Sequence, residues 1–183
     1  MARAGLSRDA VVDLALRIAD EEGPEAVTLS AVAGRAGVAP PSLYKHVRNL
    51  ADLRVLLTDR VYGELSDGIA QAVLGRSRDD AVRAAMHAWR RYVLEHPGRY
   101  SAAIQAPNPA VSGAGDRLVE IVLTVLKGYG LEGADAIHAT RCIRSAAHGF
   151  AVLEAAGGFG LPEDVGVSYD RLIDMILTGL RSG

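Results

Sequence analysis

One cysteine, Cys142, stands in 183 residues. An intramolecular disulfide is therefore excluded, and so is a zinc site built on several cysteines. No long hydrophobic run is present either. The most apolar stretch, around Leu118–Leu126, is interrupted by Glu120 and Thr124 and is too short to span a bilayer. The opening stretch MARAGLSRDAVVDLALRIADEEG has charges spaced through it and no continuous apolar segment of signal-peptide length. Neither sign of charge dominates: the net charge is −2, so attraction to nucleic acid must come from a local patch and not from the whole molecule. There is no internal repeat, no low-complexity tract and no convincing strand pattern. The G-x-S-x-G and H-E-x-x-H motifs are missing, and the five histidines show no zinc-ligand spacing. The expectation is a soluble, cytoplasmic, non-enzymatic protein with no membrane association, no metal and no cofactor.

What is present is helical periodicity. Apolar residues make up 49% of the chain, which argues against disorder. Val11, Leu14, Ala15 and Ile18 fall at i, i+3, i+4, i+7, one stripe of a helix. Ser7 has the character of its N-cap, with Leu6 and Val11 spaced as a hydrophobic staple, and Gly23-Pro24 ends it. Thr28 caps a second helix with Leu29, Val32, Ala33 and Ala36 inward. Gly37 suits the left-handed residue that closes it. The chain restarts at Pro40-Pro41, since proline is tolerated in a helix's first turn. A short third helix over 41–47 turns Leu43 and Val47 inward. One long helix over 49–74 follows without a flexible linker. Further helices are expected at 82–93, at 97–105, at 118–129 (apolar nearly all round, hence central and buried), at 134–156 and from Tyr169 to Leu180. The stretches APNPAVSGAG (106–115) and GGFGLPEDVG read as loops. The reading is all-α, about nine helices, with domains at 1–49 and 50–183.

Short helices two and three, joined by a tight glycine turn, match a helix-turn-helix. Between Thr28 and Arg48 there is no acid, yet Arg35, Lys45, His46 and Arg48 are there. The acids Asp9, Asp13, Asp20, Glu21, Glu22 and Glu25 all lie in the preceding helix and its exit. A locally basic face inside a weakly acidic chain draws a polyanion to one side. With Leu43 and Val47 inward, Pro41, Ser42, Lys45 and His46 face out at the N-terminal end of the third helix, whose dipole and open N–H groups suit phosphate. Ser42 and Lys45 can hydrogen-bond base edges in the major groove, and proline can touch a thymine methyl. Tyr44, His46 and Arg48 fit phosphates, which set position and carry little sequence information.

The stretch TLSAVAGRAGVAPPSLYKHVRNLADL (28–53) strongly resembles the DNA-binding domain of the tetracycline-repressor (TetR) family of transcriptional regulators. The matching features are Thr28, the Ala33–Gly37–Val38 turn, Leu43-Tyr44, His46, Asn49 and Leu53. The resemblance implies Ser30, Pro40, Pro41, Ser42, Tyr44, Lys45 and His46 as DNA contacts, and Thr28 and Arg48 complete the candidate set. Val47 stands where most members have Phe. Leu50 stands where most have a Lys that grips a phosphate, so binding should be modestly weaker and less salt-dependent.

By the same resemblance the remaining chain forms a helical domain that dimerises and binds a small effector. The stretches AWRRYVLEHPGRYSAAI (88–104) and AAHGFAVLEAAGGFG (146–160) resemble the Trp-His-Gly type of C-terminal domain, with His148-Gly149 present and Ala147 in place of the Trp. The small residues Ala146, Ala147, Gly149 and Ala151 and the apolar final helix favour a four-helix homodimer interface. Trp89 could sit with Tyr62, Met86, Tyr92, Tyr100, Ile121, Arg144, His148 and Phe150 around an effector cavity. Arg144 could equally pair with Glu154 or Asp174. The expected function is a repressor that binds a palindromic double-stranded DNA operator as a homodimer and is released by a small, partly hydrophobic effector. A regulator controlled by a protein partner, or constitutive, is the nearer alternative. A remote one is a dinucleotide-binding enzyme, because Gly128, Gly130 and Gly133 have G-x-G-x-x-G spacing after IVLTVL, with Glu154 about twenty residues on as a ribose-binding acid.

Overall fold

The side-chain oxygen of Ser7 accepts a hydrogen bond from the Ala10 N–H at 3.1 Å, and helix α1 (Arg8–Glu22) starts there. It ends at Gly23, whose positive φ of 90° turns the chain away. The computed structural model describes residues 6–105 and 113–182. Over these it has α2 (Leu29–Ala36), a 3-10 segment (Pro40–Lys45), α3 (Leu50–Val73), α4 (Arg78–Glu95), α5 (Pro97–Ile104), α6 (Gly113–Leu126), α7 (Gly133–Ala155) and α8 (Val165–Ser182). Two further short 3-10 turns lie at Pro24–Ala26 and Lys127–Tyr129. Among the described residues there is no strand.

The chain folds as two compact units. The first comprises Met1–Tyr62 and His96–Gly113, the second Gly63–Glu95 and Ala114–Gly183. Helix α3 gives its first half to one unit and its second half to the other.

In the first unit α1 packs on α2 and on α5. Its core holds Val11, Ala15, Ile18, Val32, Leu43, Leu53 and Leu57, none more than marginally exposed. The docking of α5 on α1 fixes one residue type. A Cβ at Gly98 would lie 2.0 Å from the Ala19 carbonyl oxygen and 2.9 Å from the Asp20 Cα, so only glycine fits. Arg99 completes the joint. Its N–H donates to Asp20 Oδ1 at 3.0 Å and its guanidinium to Oδ2 at 2.6 Å.

In the second unit α4 is the spine, packed on α7 and α8. Met86, Trp89 and Val93 are buried on α4, Ile143, Ala147 and Ala151 on α7, and Tyr169, Ile173 and Leu177 on α8. The Tyr169 hydroxyl donates to the Met86 carbonyl at 2.7 Å, giving a buried O–H its partner.

Several expectations need correction. Val165 and Gly166 of the expected GGFGLPEDVG loop are helical and open α8. Residues 113–115 of the expected 106–115 loop are helical and open α6, while 106–112 lie outside the described residues. Helix α6 is not buried all round: it buries only Leu118, Val122 and Leu126, and Val119 is 39% exposed. A helix apolar on every face needs neighbours on every face, and within its unit α6 is covered along one i, i+4, i+8 stripe. The strand required by a dinucleotide loop is absent too. IVLTVL is helical, and Gly128 lies in the 3-10 turn that Gly130 (φ 76°) closes.

Gly98→Ala is expected to lower stability by about 1–3 kcal/mol, because the added methyl meets backbone that cannot yield. Thermal unfolding of the variant should show a midpoint several degrees lower, while a Gly34→Ala control, with open space around its Cβ, should not.

Candidate nucleic-acid interface

The candidate turn is built in three local steps. Thr28 Oγ1 accepts from the Ala31 N–H at 3.0 Å and caps α2. Gly37, at φ 65°, ends α2 in the left-handed region, where its N–H reaches the Gly34 carbonyl and the Val38 N–H reaches that of Ala33, both at 3.1 Å. Extended Ala39 then leads into Pro40–Lys45. The third helix is therefore a six-residue 3-10 turn and not the α-helix expected over 41–47. So short a run cannot recover the cost of nucleating an α-helix, and i→i+3 bonds close it, as Ser42 N–H to Ala39 O at 2.9 Å shows. Its dipole is correspondingly small, so the expected anion-binding helix end is not formed.

Leu43 and Val47 are fully buried and hold the turn to the core. The rest of it points outward. Pro40, Pro41, Tyr44, Lys45 and Arg48 are exposed, Tyr44 at 59%, and Ser42 and His46 are half-buried. Thr28 and Ser30 are exposed at the head of α2. All nine candidates thus belong to the first unit, on or beside the helix-turn-helix.

Two of the four counted cations are already engaged. Arg35 donates to Glu21 Oε2 at 2.6 Å and Glu22 Oε1 at 2.5 Å, which raises its pKa through the Glu21 hydrogen bond first. Arg48 binds Asp52 through its guanidinium and its main-chain N–H, each at 2.9 Å, and its pKa is raised by that hydrogen bond. Asn49 Oδ1 accepts from the Asp52 N–H at 2.8 Å and caps α3. The reading of the sequence missed both pairs; Arg48 and Asp52 are i, i+4 apart, a signal that could have found theirs, whereas the Arg35 pair spans a turn and left none. Lys45 and His46 remain without an acidic partner among the described residues.

The other candidates are dispersed. Tyr62 and Tyr100 are buried in the first unit. In the second, Met86 and Trp89 are buried core, and the Tyr92 hydroxyl donates to Glu64 Oε2 at 2.8 Å. Phe150 packs on Phe159 and Tyr169, with ring centroids 4.7 and 4.8 Å away. Ile121 lines an open groove of about 540 Å³ with Leu74 and Val125. Arg144 is exposed, and burial followed by the Arg144 charge holds His148 below the ordinary imidazole range. Glu154 is held by Arg90 and Asp174 by Arg83. Glu64, Phe159 and Tyr169 join these environments without having been singled out as site residues, since their neighbours are remote in sequence. Among the described residues no acid, His or Cys cluster could hold a metal, and no helix is long and apolar enough to cross a membrane.

Residues 11–54 match the family described as bacterial regulatory proteins, tetR family, and residues 82–176 match the tetracyclin repressor-like C-terminal domain. The latter is the general description, and the Trp-His-Gly subtype does not enter it. The chain is 38% identical to the uncharacterized HTH-type transcriptional regulator YobS of Bacillus subtilis, across 97% of this chain and 94% of that one. It is 40% identical to the uncharacterized HTH-type transcriptional regulator Rv0681 of Mycobacterium tuberculosis, across 84% and 72%. Among solved structures it shares the fold of ActR from Streptomyces coelicolor in complex with (S)-DNPA, with a TM-score of 0.78 at 22% identity, covering 99% of this chain and all of that one.

Asp52 sits below the ordinary aspartate value of 3.8 because it accepts hydrogen bonds from the Arg48 side chain and main chain. A depressed folded-state pKa stabilises fully above the unfolded value and is lost as pH falls through the folded one. Asp52→Asn should therefore cost on the order of 1 kcal/mol at pH 7, and denaturant titrations should show the gap to wild type closing below about pH 4.

Proposed function

The chain belongs to the tetR family of bacterial regulatory proteins, and from that premise we propose that it represses transcription as a homodimer on a palindromic operator and is released by a small, partly hydrophobic effector. The observation that carries the reading is the outward face of the Pro40–Lys45 turn, free of acids and pinned by Leu43 and Val47. Ser42 and Lys45 offer donors and acceptors to base edges, and Pro40 and Pro41 offer apolar contact to a thymine methyl. Tyr44, His46 and Arg48, with Ser30 and Thr28 at the head of α2, hold phosphates. Thr28 does this with its hydroxyl proton, its oxygen being engaged in the cap.

One turn makes too few base contacts for strong specificity. A two-fold pair spans half-sites about 34–36 Å apart. The last two helices support pairing. They pack on each other and leave Ile137, Leu153, Val167 and Met175 uncovered, Met175 at 65%. Apolar side chains on adjacent helices of that kind suit a four-helix interface.

Effector control is assigned to the second unit, where a cavity opened among Trp89, Met86, Tyr92, Phe150 and His148 would have apolar walls and a few polar groups. The solved neighbour ActR holds (S)-DNPA, so the fold accommodates a small molecule. The effector favours one position of α3, which belongs to both units, and so shifts the population in which two reading turns match successive grooves.

Selection of bound duplexes from a random pool is expected to enrich a palindrome. Ser42→Ala with Lys45→Ala should then lose about 1–3 kcal/mol per base contact in a titration against that palindrome, with circular dichroism and sizing unchanged. A pool that enriches no palindrome at low salt overturns the reading. In a metabolite screen, an effector should raise the melting temperature, because it binds only the folded state, and should also weaken operator binding at least about tenfold for a preference of about 1.4 kcal/mol. Ligands that stabilise the protein yet leave operator affinity unchanged refute effector control.

A further inference from the structure

A second region of the molecule concentrates positive charge. An open cleft of about 580 Å³ lies in the second unit between the end of α3 and one face of α4. Gly68, Ala72 and Ala84 line it and, having little or no side chain, leave its volume open. Its other walls carry three guanidiniums, Arg76, Arg83 and Arg91, and the imidazole of His87, against the single carboxylate of Asp80.

These cations are not equivalent. Arg83, His87 and Arg91 fall at i, i+4, i+8 and share one face of α4. In the middle, Arg83 is bound to Asp174 at 2.5 Å and to Asp170 at 3.6 Å, and His87 to Asp170 at 2.9 Å. At the two ends, neither Arg76 nor Arg91 has an acidic partner among the described residues. Glu95 lies four residues after Arg91 on the same helix, and Asp80 lines the cleft with Arg76, yet no pair forms. The cleft is thus neutralised at its centre and cationic at its ends. Arg91 lies thirteen residues beyond the start of α4, so the ends are roughly 20 Å apart along the backbone, and less between side chains that line a common cleft.

We propose that this cleft binds an elongated small molecule carrying an anionic oxygen group at each end. One guanidinium holds each end, since its fork matches carboxylate or phosphate oxygens, and a neutral chain crosses the small-residue middle. Its volume is that of a small-molecule site. None of its lining residues belongs to the proposed reading turn or to the proposed effector set, although His87 lies edge-on to Tyr169, with ring centroids 5.5 Å apart, on which Phe150 also packs; the proposal stands whether or not those readings hold.

The test uses the full chain without DNA, at low ionic strength, by calorimetric titration. The probes are linear α,ω-dicarboxylates of six to twelve carbons, the monocarboxylates of the same lengths, and α,ω-bisphosphonates to distinguish the two acids. At least one two-headed probe should bind about tenfold or more tightly than its one-headed counterpart. Arg76→Ala and Arg91→Ala, both exposed, should each remove that advantage. Arg17→Ala with Lys127→Ala, an equal charge change at residues that do not line the cleft, should preserve it. The proposal is overturned if no two-headed probe binds more tightly than its counterpart. It is also overturned if the cleft variants keep the advantage, or if the control pair loses it equally.

Discussion

A six-residue turn headed by two prolines makes too few hydrogen bonds to keep a shape of its own. Two side chains supply what the backbone does not. Leu43 and Val47 are withdrawn completely into the core of the first unit, and the segment that carries Leu43 packs on α2. Fully burying a Leu or Val side chain stabilises by about 1.5–3 kcal/mol, which is ample to hold so short a segment. Everything presented outward follows from that inward pair, because i and i+4 fix which of the remaining positions can face a groove. Val47, at the position where the resemblance implies Phe, is as covered as Leu43.

The charge of the face arises by subtraction. All six acids counted on α1 and its exit are hydrogen-bonded within the first unit. Arg60 takes Asp9 and Asp13, Arg99 takes Asp20, Arg35 takes Glu21 and Glu22, and Gln105 takes Glu25. These pairs are mostly exposed and individually weak. Their consequence is positional: they direct the negative charge of α1 toward α2, α3 and α5. Lys45 and His46 are then left as the basic groups without acidic partners on the turn. A polyanion would meet a smaller but less compensated positive patch than residue counting suggests.

Local signals were the most legible. Ser7, Thr28 and Gly37 cap and close helices as their types require, because a cap is decided by a few adjacent residues. The long helix expected at 49–74, and the final one expected from Tyr169 to Leu180, declared themselves by apolar spacing, although the final helix starts earlier, at Val165. Relations between distant residues were hidden. Nothing near Gly98 says that α5 lies against the Ala19 carbonyl, and nothing near Arg35 says that it faces α1. The depth of α6 was misread for a related reason. Apolar residues all round show that a helix can be buried on every side, but the neighbours that would bury it are set elsewhere in the chain. For the DNA-contacting candidates, sequence placed all nine on or beside one helix-turn-helix. For the aromatic candidates it gathered residues that share inward stripes, and those residues divide between two units.

In the second unit, polar groups bind helices as closely as the core does. Arg90 on α4 forks onto both oxygens of Glu154 on α7, and its guanidinium also lies 5.2 Å from the ring centroid of Tyr169 on α8. Tyr169 returns to α4 through the Met86 carbonyl. Three helices therefore meet in a half-buried network in which each member has its partner, the condition under which such networks specify one arrangement. Because the network spans α4, α7 and α8, a ligand that displaces α4 must either carry the other two helices with it or break charge-assisted hydrogen bonds. Helices so coupled shift between discrete packings and do not deform gradually. That is the property the proposed effector control would require of this unit.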